Sequence, residues 1–142
     1  MNFYISAFVA SWLAFILLGN KKLWKWGIFS GVVGLAHEIG GIGLGLWSYD
    51  NNVVALISNS LALYPITGIL LLTFLPESLP LRVLYVFAWT VLSLFLELVY
   101  VFLGHLSYIK WIAPYSILLY AGTYTLYILA YLYFTSEKQK NI

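Results

Sequence analysis

The sequence predicts an all-α fold: a polytopic integral membrane bundle of five transmembrane helices. Three observations predict it. The 142 residues are 63% hydrophobic and only 8% charged, with a mean hydropathy of +0.92. That leaves too few polar groups to cover a soluble domain. The apolar residues fall into five stretches of about the 20 residues that a membrane-crossing helix needs. Finally, the breaks between stretches are short and polar, and short breaks force an up-down bundle with no room for an extramembrane domain.

In chain order, the helices are expected at about 3–19, 27–47, 53–75, 83–104 and 111–135. The first stretch has no basic residues ahead of it and no small-x-small cleavage site, so it reads as a retained helix. Asn20-Lys21-Lys22 ends it, and Ser48-Tyr49-Asp50-Asn51-Asn52 separates the second from the third. Tyr64-Pro65 is expected to kink the third helix and free a backbone carbonyl. Pro76-Glu77-Ser78-Leu79-Pro80 and the segment from His105 to Lys110 separate the last three. Residues 1–135 form one transmembrane domain, and 136–142 form a polar cytoplasmic tail. No internal repeat is evident in composition or helical period.

Basic residues choose the orientation. Lys21, Lys22, Lys25, Arg82, Lys138 and Lys140 fall on one side of a five-span topology, and Lys110 on the other. The positive-inside rule then predicts an N-terminus outside and a cytoplasmic C-terminus.

Composition also excludes chemistries. The chain has no cysteine, so disulfides and thiolate sites are absent. A net charge of +2, scattered along the chain, gives no footprint for nucleic acid. There is no phosphate-binding glycine loop, Ser/His/Asp set or HExxH helix. His37 and His105 fall at different depths, so no metal site and no cofactor are expected.

Two acids stand out. Glu38 lies within the apolar stretch 27–47 and Glu97 within 83–104. An ionisable group in a spanning segment costs a few kcal/mol and as a rule faces the bundle interior with a partner or a task. Gly27, Gly31, Gly34, Glu38, Gly41 and Gly45 share one helical face, and the glycines allow close approach of a neighbouring backbone. A homo-oligomer through the Gly27/Gly31/Gly41/Gly45 face is one expectation. Trp89, Ser93, Glu97, Tyr100 and Gly104 form a second face, and Ser116, Tyr120, Thr123 and Tyr127 a third. From a 1.5 Å rise per residue, Glu97, Glu38 and Asn59 lie roughly 10, 13 and 9 Å from the outer helix ends. The candidate catalytic residues are therefore Glu38 and Glu97. The candidate substrate-binding residues are Trp47, Tyr49, Asn59, Tyr64, Trp89, Tyr100, Trp111, Tyr115 and Tyr120. A carboxylic acid in a water-poor pocket can donate a proton, and aromatic rings can stabilise a cation beside it.

Glu38, Gly45-Leu46-Trp47-Ser48-Tyr49, Tyr64-Pro65, Phe74, Pro76 and Phe95-Leu96-Glu97 are followed by Gly104, Tyr108, Trp111, Tyr115-Ser116 and Tyr120. This series resembles the uncharacterised five-helix membrane-protein family of spore-forming bacteria, which implies a multi-pass protein of the bacterial cell (inner) membrane. Trp47-Ser48-Tyr49-Asp50 is also similar to the Trp-x-Tyr-Asp/Asn element of the membrane lycopene-cyclase domain. That domain places acids after a proline, whereas Ile66-Thr67 follows Pro65 here. The acid would have to come from Glu38 or Glu97.

The functional expectation is an intramembrane acid–base enzyme on a hydrophobic lipid, an isoprenoid cyclase or isomerase that protonates an alkene. Its partner would be a membrane lipid or isoprenoid substrate. The alternatives are a small-solute or proton-coupled carrier or lipid-binding module, and a structural or accessory membrane protein.

Overall fold

The computed structural model describes residues 2–140, with side chains described for 3–136. Five helices make up the fold of the described residues: α1 (Asn2–Leu18), α2 (Trp24–Gly43), α3 (Asn52–Thr73), α4 (Leu79–Phe102) and α5 (Ala113–Lys140). Three of them, α3, α4 and Ala113–Ser136 of α5, are long and apolar enough to cross a membrane. α1 is apolar but shorter, and glycines and Glu38 dilute the hydropathy of α2. α5 continues through the segment expected to be a separate tail as far as Lys140, and Asn141 and Ile142 lie outside the described residues.

Two short strands were not expected. β1 (Trp47–Tyr49) and β2 (Leu106–Tyr108) pair antiparallel, with Trp47 opposite Tyr108, Ser48 opposite Ser107 and Tyr49 opposite Leu106. The helices before them end earlier than helical period suggests, at Gly43 and Phe102. The cause is local. Gly45 and Gly104 adopt φ of 65° and 76°, a left-handed conformation that only glycine takes at little cost. Each turns the chain back across its helix end, and the ladder then satisfies backbone groups that a helix would have paired.

The expectation of no internal repeat is also corrected. Both halves carry Glu-x6-Gly-x2-Ser-Tyr, as Glu38/Gly45/Ser48/Tyr49 and Glu97/Gly104/Ser107/Tyr108. The ladder register is symmetric about the Ser48–Ser107 pair. The chain thus contains two helix–glycine–strand–helix units, with α2 against α3 and α4 against α5, joined by a two-stranded ribbon.

α3 is not uniform. Asn59–Leu63 forms a π-turn, in which the Tyr64 N–H reaches the Asn59 carbonyl. It lies just before Pro65, whose ring cannot fit a continuous α-helical ladder, and a π-turn is a usual way to absorb such a misfit. The Ser30 hydroxyl donates to the Tyr64 carbonyl at 2.8 Å.

The helix ends sort by polarity. Tyr4 of α1 donates its hydroxyl to Asp50 Oδ1, and Asp50 Oδ2 lies 2.9 Å from His105 Nδ1. Those contacts hold the start of α1 at the ribbon end of the bundle. At the other end the Asn20 N–H donates to Thr73 Oγ1 at 3.0 Å, and Asn20 caps the turn carrying Lys21 and Lys22. Lys21, Lys22, Lys25 and Arg82 therefore gather away from the ribbon, where Lys110 lies. One core cluster lies near the ribbon around Tyr4, Trp47, Ala55, Tyr100 and Leu106. The other surrounds Leu23, Ile69, Leu71, Leu72, Tyr127 and Ile128. The outer faces of α4 and α5 are apolar and open, with Phe87 64% and Leu118 74% exposed. An apolar surface of that extent fits a bilayer.

Candidate functional site

The ribbon folds the two units' aromatic and polar side chains over the ends of α2 and α4. Glu38, 1% exposed, sits near the end of α2. Its Oε2 accepts from Trp47 Nε1 at 3.1 Å. Its Oε1 accepts from the Tyr49 hydroxyl at 2.7 Å, from Asn59 Nδ2 at 3.1 Å and from the Tyr64 hydroxyl. Each element thus supplies something: β1 brings Trp47 and Tyr49, and α3, turned by its π segment, brings Asn59 and Tyr64.

Glu97 occupies the equivalent place in α4 and is half-buried. The Tyr108 hydroxyl and the Ser116 hydroxyl, the latter at 2.6 Å, donate to its Oε1. The Tyr120 hydroxyl donates to Oε2 at 2.6 Å. Trp111 Nε1 donates to Ser116 Oγ at 2.8 Å and so fixes that hydroxyl.

The two cages differ in kind. Each oxygen of Glu38 meets an N–H, Trp47 on one and Asn59 on the other, and an N–H can only donate. Both oxygens are thereby held as acceptors. All three partners of Glu97 are hydroxyls, which donate or accept by rotating. The cage of Glu97 is built of hydroxyls alone, and that of Glu38 combines two hydroxyls with two N–H donors.

Glu38 and Glu97 line one cavity of about 40 Å³, with His37, Trp47, Tyr49, Tyr64, Tyr108, Trp111 and Tyr120 in its walls. That volume accommodates two or three waters at most. A second cavity of about 80 Å³ touches Glu97, Asn59, Tyr100, Ser93 and Tyr124. A third, of about 280 Å³, runs between α2, α3 and α5 along Val33, Gly34, Gly68, Leu71 and Leu119. Tyr64 and Tyr120 line all three, so two phenol rings separate the polar cavity from the large apolar one. Among the described residues, no Lys or Arg lines any of them. No group of three or more His, Cys, Asp or Glu among the described residues could hold a metal.

Of the candidate substrate-binding residues, Trp47, Tyr49, Tyr64, Trp111 and Tyr120 surround the two acids, and Asn59 and Tyr100 border the second cavity. Trp89 and Tyr115 do not belong with them. Trp89 packs edge-on against Tyr85 and Tyr124, and Tyr115 is 50% exposed against the rim of Trp111. Sequence reasoning passed over Tyr108 and Ser116 as site residues. The signal that finds Tyr108 is its separation of 11 residues from Glu97, equal to that of Tyr49 from Glu38.

The glycine face is occupied within the chain. A Cβ on Gly27 would meet Ile69, one on Gly31 Pro65, one on Gly34 Tyr64 and one on Gly41 the Trp47 ring. Only Gly45 of that stripe is free of such contact. Comparison with family models, with curated proteins and with solved structures gives no match to this chain.

Proposed function

We propose that this chain is an intramembrane acid–base enzyme acting on a hydrophobic lipid, an isoprenoid cyclase or isomerase. The resemblance to the membrane lycopene-cyclase domain belongs to this proposal, as do five spans with the ribbon end outside and residence in a bacterial cell membrane. One observation supports it above the others: two carboxyl groups with different cages line a single cavity. That is the arrangement in which two acids take separate roles.

The chemistry balances without a co-reactant. A linear polyprene lies along the 280 Å³ chamber with one double bond past Tyr64 and Tyr120. The proton of Glu97 moves to one alkene carbon as the π pair forms the new C–H bond, leaving a carbocation on the other carbon. Trp47, Trp111 and the tyrosine rings stabilise that cation through their faces, and the carboxylates through charge. Loss of a proton from a neighbouring carbon, back to Glu97, restores the acid and leaves an isomerised alkene. For cyclisation, the π pair of a second double bond first attacks the cation to form the ring C–C bond, and the proton is lost from beside the new cation. Glu38 stays an acceptor throughout and holds Trp47, Tyr49 and Tyr64 in position.

In purified protein supplied with linear polyprenes, Glu97→Gln should abolish conversion. Glu38→Gln should lower it by about a hundredfold, the usual scale for a group that orients catalytic partners. Full conversion in both variants overturns the assignment.

The duplicated unit supports a second reading, a proton-coupled carrier. Parallel repeats about an axis along the membrane normal occur in secondary transporters, with the substrate between the halves. Uptake into proteoliposomes driven by a pH gradient, without chemical conversion, would favour it.

A further inference from the structure

The polar cavities hold two acids and an amide oxygen without a donor. Glu38 and Glu97 enter them with no Lys or Arg opposite. Asn59, 2% exposed, commits its Nδ2 to Glu38, and this leaves its Oδ1 buried without a partner at the cavity it shares with Glu97. The amide cannot be turned over to relieve this, because Oδ1 would then face a carboxylate. His37 Nε2, in the walls of both the 40 Å³ and the 280 Å³ cavities, is also buried without a partner. A buried acceptor left unpaired is costly, so Asn59 Oδ1 calls for a donor, while His37 Nε2 calls for a partner of whichever sense its tautomer sets. Around them stand the faces and edges of Trp47, Tyr49, Tyr64, Trp111 and Tyr120.

Carboxylates, an unpaired amide oxygen and aromatic rings, with no Lys or Arg beside them, form the recognition pattern for an ammonium group. A primary ammonium brings one positive charge and three N–H donors. A bare metal ion suits the site less, since only two carboxylates are present and no group of three or more His, Cys, Asp or Glu gathers among the described residues. The apolar chamber beyond Tyr64 and Tyr120 then has an obvious content.

We propose that the chamber binds a lipophilic primary amine. The ammonium sits among Glu97, Asn59 and the aromatic rings, and the alkyl tail runs into the 280 Å³ cavity between α2, α3 and α5. This goes beyond the catalytic reading: the amine occupies the place of the carbocation and undergoes no reaction.

The test uses the full chain in lipid nanodiscs, titrated near neutral pH with n-octylamine, n-octanol or sodium chloride. Tryptophan emission reports occupancy, because Trp47 and Trp111 lie in the walls. Octylamine should saturate the signal and bind at least about tenfold more tightly than octanol, with a further loss of at least about tenfold in Glu97→Gln. Equal affinity for amine and alcohol overturns the proposal. So does the same response from sodium alone, or undiminished binding by a folded Glu97→Gln protein. Should that variant not fold, the comparison of amine with alcohol on the unaltered chain still decides. Octylamine bound while no polyprene is converted would uphold the amine site and end the catalytic reading. Conversion that octylamine fails to inhibit would do the reverse.

Discussion

At the scale of single residues, two glutamates in equivalent places are set apart by what surrounds them. Glu38 is held by two N–H donors, which cannot reverse, together with two tyrosine hydroxyls, and Glu97 by hydroxyls alone. The existence of both acids was legible in the sequence, because a carboxylate in an apolar stretch is rare enough to notice. Their difference was not, since it depends on Asn59 arriving from α3 and Ser116 from α5. Asp50 is a third acid, outside the apolar segments and with another task. The Tyr4 hydroxyl first, and then His105, hold its carboxyl below the usual carboxylate range. A lowered value in the folded state means that this contact stabilises the fold above the ordinary carboxylate value and is lost as pH falls below it. Thermal unfolding should therefore separate the unaltered chain from Asp50→Asn at neutral pH. The gap should begin to close below about pH 4 and vanish as pH falls through the lowered folded value. A gap that is constant down to pH 3 would show that the Asp50 latch contributes through shape alone.

At the scale of elements, helical period located the helices well and their ends poorly. Counting apolar residues carries α2 to Trp47 and α4 to Gly104, because nothing in a period reveals where glycine will turn left-handed. The ribbon escaped notice for the same reason, since three-residue strands leave no alternation to detect. The glycine face of α2 was read correctly as a close-packing surface, yet its neighbour turned out to be α3 and the ribbon's own tryptophan. Trp89 and Tyr115 lie apart from the two acids, since helix spacing defines a face but not which neighbour it meets. Gly41 shows how tight the fit is: a Cβ there would lie 1.9 Å from Trp47 Cζ2. Gly41→Ala should push the indole away and break its bond to Glu38, lowering stability by about 1–3 kcal/mol. A red-shifted tryptophan emission should accompany the loss. Gly40, which has nothing within 4 Å of a built Cβ, supplies the control. Equal stability of Gly41→Ala and Gly40→Ala would contradict this packing.

At the scale of the whole molecule, two copies of one small unit meet at a ribbon whose register is symmetric, and the acids of both copies open into a shared cavity. On the proposed function, symmetry of backbone with asymmetry of side chains would let one acid orient and the other react. Basic residues gather at the end away from the ribbon, so the proposed topology has a direct check in a chain without cysteine. A membrane-impermeant maleimide applied to intact cells should label Lys110→Cys and leave Lys22→Cys untouched until the membrane is opened, and the opposite pattern would invert the bundle. The claim at the centre, that Glu97 passes a proton to a hydrophobic chain held beside it, is tested most directly by conversion of linear polyprenes in D2O, read by mass spectrometry. The account predicts product carrying solvent deuterium from the unaltered chain and no product from Glu97→Gln. Unlabelled product, labelled product from Glu97→Gln, or no conversion of any polyprene would contradict it.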